Sequence, residues 1–149
     1  MKKIFVLLFI LIGCNIFAWE SIETVDDFNE PTGEIRIIQY DTKGKSLVFI
    51  DKVDKGYSIS FYCDEFIGGR GEYSKSTLKI KIDQEKPITL NGYVWPDNIT
   101  VSTIPPNNLI EKMKKGKVMK VVIEKYDSQT FLLQFNLGDF EENLKKVKK

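Results

Sequence analysis

Short apolar runs separated by turns constrain this chain more than any other feature. Leu78-Lys79-Ile80-Lys81-Ile82-Asp83 alternates strictly between apolar and charged residues. Successive side chains of a strand point to opposite faces, so this stretch has one face for a core and one lysine-bearing face for water. A helix would scatter the same residues around its circumference. Short β-branched and aromatic runs recur at Glu34–Tyr40 (EIRIIQY), Ser46–Asp51 (SLVFID), Tyr57–Cys63 (YSISFYC), Ile88–Trp95 (ITLNGYVW) and Asn98–Thr103 (NITVST). Asp41–Lys45, Asp54-Lys55-Gly56, Glu85-Lys86-Pro87 and Pro96-Asp97 supply the breaks between them. Lys117–Tyr126 and Thr130–Leu137 read as a hairpin closed by Asp127-Ser128-Gln129. Phe131, Leu133, Phe135 and Leu137 share one face of it, and at about 1.5–3 kcal/mol per buried side chain that face is a major part of the core.

The remaining segments read less simply. Trp19–Pro31 (WESIETVDDFNEP) is an edge strand or an ordered arm pinning Trp19, Val25 and Phe28 onto the domain, punctuated by Pro31-Thr32-Gly33. Asp64–Tyr73 carries Gly68, Gly69 and Gly71 around Arg70, without the strand–GxxxxGK[ST]–helix context of a phosphate loop, and reads as a connector with Arg70 as a candidate partner contact. Gly92 marks a bulge or a close approach. Ile104-Pro105-Pro106 ends the β run, and the spacing then predicts a helix over Asn108–Lys115. Asn108 with Glu111 forms a capping-box-like pair, Leu109, Ile110 and Met113 an apolar stripe, and Gly116 suits the stop. Lys112, Lys114 and Lys115 complement the negative end of that helix. Asp139 and Glu142 form a second cap pair, and Phe140, Leu144 and Val147 fall at i, i+4, i+7 of a terminal helix. The expected fold is mainly β: an antiparallel β-sandwich or closely related β-domain with one or two short helices.

Lys2 and Lys3 precede the unbroken apolar run Ile4–Ile12, the layout of an export signal. Two processing routes compete. A general signal peptidase cuts after Ala18 and leaves Trp19 first, with 1–18 as leader and 19–149 as a single β-rich domain. Alternatively Leu11-Ile12-Gly13-Cys14 is a lipobox, 1–13 is a lipoprotein signal and Cys14 is lipidated; several acyl chains at about 0.8 kcal/mol per buried CH₂ then hold the domain on a membrane. Removing Lys2 and Lys3 leaves twenty basic residues against twenty-one acidic, a net charge of −1, with no overall bias toward nucleic acid or anionic lipid.

The chain has no histidine, which removes the commonest general base and the commonest zinc ligand together. Cys63 lies on the Tyr57/Ile59/Phe61 face and reads as a buried, inert thiol without a disulfide partner. The adjacent acids Asp26-Asp27, Asp64-Glu65 and Glu141-Glu142 are neighbours in sequence, whereas glycosidase chemistry needs carboxylates opposed across a cleft. No nucleophile elbow or phosphate loop is present. No catalytic, cofactor or metal residue is assigned.

Asn108–Lys117, the hydrophobic hairpin, then Phe135-Asn136-Leu137-Gly138-Asp139-Phe140 and Leu144 resemble the end of the invasion-associated locus B family. With Ile80-Lys81-Ile82-Asp83 upstream, the arrangement is also similar to type VI secretion accessory proteins of the VasI kind. The resemblance spans about Leu78 to Leu144 and implies a small exported β-domain. Members of these families carry cysteines able to pair across the domain, whereas Cys63 here stands alone.

The expectation is an exported cell-envelope protein acting as a non-catalytic binding module. The alternatives are a lipoprotein anchored through Cys14 and a periplasmic hydrolase using carboxylates or a serine–lysine pair. The expected partner is a protein or envelope component, not nucleic acid. A membrane enters only if Cys14 is lipidated or the leader is retained. Arg70 and Trp95 are the candidate contacts.

Overall fold

In the computed structural model the described residues are 18–68 and 74–149; the leader with Cys14, and Arg70, lie outside them. The chain runs β1 (Glu20–Val25), β2 (Pro31–Tyr40), β3 (Leu47–Val53), β4 (Gly56–Tyr62), β5 (Lys75–Ile82), β6 (Ile88–Val94), β7 (Thr100–Thr103), α1 (Asn107–Lys115), β8 (Val118–Glu124), β9 (Thr130–Asn136) and α2 (Phe140–Leu144). Among the described residues nine strands form one antiparallel sheet, ordered β1-β2-β3-β4-β7-β6-β5-β8-β9. The mainly β antiparallel reading holds, in the form of one sheet curled on itself. Thr42 N–H, just past β2, donates to Gln134 O of β9 at 2.9 Å, and Ile35 exchanges both backbone bonds with Lys148 in the tail.

Strand alternation builds the interior. Ile37, Val48, Ile50, Ile59 and Phe61 point inward from β2–β4, and Leu78, Ile80, Val121, Ile123, Leu133 and Phe135 from β5, β8 and β9. Phe61 and Phe135 meet with ring centroids 6.0 Å apart, joining the two halves of the curl. The expected Phe131/Leu133/Phe135/Leu137 face is inward, while Lys79 and Lys81 point outward. Leu109, Ile110 and Met113 of α1 and Phe140 and Leu144 of α2 add to the same core.

Several local expectations change. β2 begins at Pro31, opposite Val25, so Pro31-Thr32-Gly33 belongs to a strand. Proline is tolerated there because it is the first residue of the strand, where a missing donor breaks no ladder. Trp19 is buried, but Val25 is 55% and Phe28 84% exposed, so the arm pins one aromatic. The Asn98–Thr103 strand starts only at Thr100; Asn98 takes a left-handed turn conformation with φ 61°.

Both expected cap pairs are absent. Pro106 occupies the cap position of α1, where no side-chain cap bond forms, and Glu111 instead pairs with Lys114 at 2.6 Å. Pro106 O accepts from Leu109 N–H at 2.9 Å, so the entry turn closes through the backbone. Asp139 precedes α2 but turns its carboxylate to Trp19 and Asn143. Gly116 is extended (φ −80°, ψ 168°). Its requirement is space: a Cβ there would lie 2.4 Å from Ile82 Cγ2. Gly92 is a close approach too, with an added Cβ 2.6 Å from Val101 Cγ1 and 3.0 Å from Leu78 Cδ1.

Candidate functional site

The outward parity of the strands flanking the β4–β7 junction collects aromatic residues. Register pairs Tyr40 with Leu47, Leu47 with Tyr62 and Tyr62 with Thr100; Trp95 N–H then donates to Thr100 O at 2.8 Å. The next row runs Ile38, Phe49, Ser60, Ser102 and Tyr93. At roughly 4.8 Å between strands each row spans about 19 Å. Tyr40, Tyr62, Tyr93 and Trp95 are each 40–53% exposed, on a sheet whose other face is core.

The face is braced from below. Ser60 Oγ and Ser102 Oγ are 2.6 Å apart, and the Trp95 indole N–H donates to Ser102 Oγ at 2.7 Å. Two small side chains thus floor a dip that Trp95 leans over, its ring edge-on to Phe49 at 6.5 Å. Arg36 lies over the Phe49 ring, 4.9 Å from its centre, and its Nε is 2.9 Å from Asp51. Burial pushes the Asp51 carboxyl up, and Arg36 only partly offsets it.

Trp95 is held by the turn behind it. Asn98 N–H donates to Trp95 O at 2.9 Å, and Asp97 accepts from Ile99 N–H, Thr100 N–H and the Thr100 hydroxyl. Partial burial pushes the Asp97 carboxyl up, but these donors outweigh it and hold it below the ordinary carboxylate range. An anchored ring with few rotamers left to lose pays little ordering entropy on contact with a partner.

Three of the adjacent acids have local duties. Asp26 accepts from Phe28 and Glu30 N–H in its own turn; Asp64 pairs with Ser46, and Glu65 with Lys125 at 2.9 Å. A cleft of about 310 Å³ is lined by Lys75, Ser76, Lys125 and Ser128, with Glu124 its one carboxylate among the described residues. Its Ser76 hydroxyl is committed to Glu124 O at 2.7 Å. The hydrogen bond that Lys125 donates to Glu65 raises the lysine's pKa, opposite to the depressed pKa a lysine base needs. Among the described residues no group of three or more Cys, Asp or Glu could hold a metal, and no helix is long and apolar enough to cross a membrane. Burial, with Asp64 and Glu65 adding, pushes the Cys63 thiol up to about 12, as its expected inertness requires.

Of the residues singled out from sequence, the structure places Trp95 on this face and Ala18 and Trp19 just ahead of β1, remote in sequence from it. Tyr40, Phe49, Tyr62, Tyr93 and Arg36 were missed. Their signal was parity: each sits one residue out of phase with buried neighbours such as Ile37, Val48, Phe61 and Val94.

Neither protein-family models nor curated proteins match this chain. Among solved structures, it is similar to the crystal structure of invasion associated protein B from Bartonella henselae, with a TM-score of 0.61 at 13% identity. The match covers 86% of this chain and 88% of that one, reaching well beyond the Leu78–Leu144 stretch that carried the sequence resemblance. At that identity the likeness is one of fold: this chain shares the curled antiparallel sheet of invasion associated protein B.

Proposed function

We propose that this is an exported cell-envelope protein that acts as a non-catalytic module, binding a protein partner through the aromatic face around Trp95. The export signal in the sequence supports the compartment. A fold shared with a protein named as invasion associated is consistent with it. The single observation that carries the binding reading is the braced, exposed set of Trp95, Tyr93, Tyr62 and Tyr40. Tryptophan, tyrosine and arginine are the residues that dominate protein–protein binding energy, and here Arg36 and Phe49 sit directly beside them. The domain meets a membrane only if Cys14 is lipidated or the leader is retained.

Site-specific photo-crosslinking in intact envelopes tests this. A crosslinker at Tyr93 or Tyr62 is expected to trap one discrete protein band that Trp95→Ala abolishes, while one at Leu132 or Lys79 traps none. Equal crosslinking from all four positions, or co-sedimentation with purified envelope polysaccharide in place of a protein band, overturns it.

A further inference from the structure

Trp19 is held in the fold by its ring and by its backbone nitrogen. Its ring is 3% exposed, its indole N–H donates to Asn136 O at 2.9 Å, and it packs on Phe140 with centroids 5.1 Å apart. Its backbone nitrogen faces both oxygens of Asp139, at 3.2 and 3.4 Å. The carboxylate is itself oriented: Asn143, buried on α2, donates from Nδ2 to Asp139 Oδ2 at 3.2 Å and to Asp139 O at 3.0 Å. The sheet starts at the next residue, Glu20, opposite Ile38.

A main-chain amide has one hydrogen to offer two carboxylate oxygens. An α-ammonium has three, and its charge answers the carboxylate's. We propose that Asp139 is a receptor for the new N-terminus, so that removal of the leader after Ala18 completes the fold. Hydrolysis by the export peptidase adds one water across the Ala18–Trp19 amide, leaving a carboxylate on Ala18 and an ammonium on Trp19. That ammonium replaces a neutral donor with a charged, doubly accepted one, and such bonds are roughly twice as strong. The inference rests on the export reading for the cleavage alone; it is independent of the aromatic face.

Two experiments separate the parts. Chains with defined starts test the receptor: one beginning at Trp19, the same chain acetylated on its α-amine, and one carrying an extra glycine before Trp19. The free Trp19 chain is expected to exceed the acetylated one roughly five- to tenfold in its folded-to-unfolded ratio in urea, with the glycine chain between or equal to the acetylated form. Asp139→Asn is expected to erase the difference. Equal stability of free and acetylated chains, both with native Asp139, overturns the proposal whether or not the Asp139→Asn chain folds. So does a difference that persists in Asp139→Asn. Intact mass of the protein from its native envelope tests the cleavage: a start at Trp19 is expected, and a start at lipidated Cys14 or a retained leader overturns it.

Discussion

Trp95 and Ser102 are joined across the β6–β7 step by an indole N–H to hydroxyl bond of 2.7 Å, with Ser60 Oγ a further 2.6 Å behind. The bond fixes a half-exposed ring over a floor of two serines. The second tryptophan, Trp19, is buried, at 3% exposure against 47% for Trp95. The two indoles are therefore separable in solution. Acrylamide is expected to quench one fraction of the fluorescence readily and the other poorly, and Trp95→Phe is expected to remove the readily quenched fraction. Ser102→Ala, which deletes the indole's acceptor, is expected to raise the quenching of that fraction at a stability cost of about 0.5–1.5 kcal/mol.

Gly92 packs against Val101 and Leu78, so Gly92→Ala forces a Cβ to within 2.6 Å of Val101. Overpacking of this kind costs about 1–3 kcal/mol. A urea titration is expected to show that loss, and Val101→Ala in the same chain is expected to return part of it. A Gly92→Ala chain as stable as the native one counts against the packing described.

Cys63 sits behind Phe61 with its thiol pushed up to about 12, so almost none of it is thiolate at pH 8. An aromatic disulfide reagent is expected to leave the folded mature protein unmodified and to titrate one thiol per chain in denaturant. Rapid native-state labelling sinks the buried-thiol reading.

Asp97 gives the domain an acid-sensitive corner. Its folded carboxyl lies below the ordinary aspartate value of 3.8, so the ionised form is favoured by folding. The stability it contributes is present above that value and is lost as pH falls through its lower, folded pKa. Near-ultraviolet circular dichroism of Trp95 is expected to follow this loss below about pH 3.8, and Asp97→Asn is expected to remove the pH-dependent part. A profile unchanged by that substitution contradicts the assignment.

Phe140 supports Trp19 from α2 and is itself fully buried. Phe140→Ala is expected to cost about 3–5 kcal/mol, and to raise the quenching of the protected fluorescence fraction. A protected fraction that stays protected shows that Trp19 is held without α2.

Much of the strand layout was legible because alternation is local. Leu78–Asp83 and Thr130–Leu137 told which side chains point inward without reference to anything distant, and the core follows them. The caps were not legible. Asp139 has the residue type and position of a cap, yet Trp19, 120 positions away, offers its carboxylate a donor. Gly116 reads as a left-handed stop but answers to Ile82, a residue in a different strand.

The sequence by itself determined the β class, the apolar stripe of α1 and the inward sets of strands such as β5 and β9, since each depends on residue type at short spacing. Only the tertiary structure decided that β4 pairs with β7 and that β8 lies beside β5. Hydrogen-bond ladders are built from the same backbone groups in every strand, so the choice of neighbour falls to loop reach and the shape of the whole core. That choice is what carries Trp95 and Tyr93 up to Tyr62 and Phe49, and what sets Asp139 under the nitrogen of Trp19.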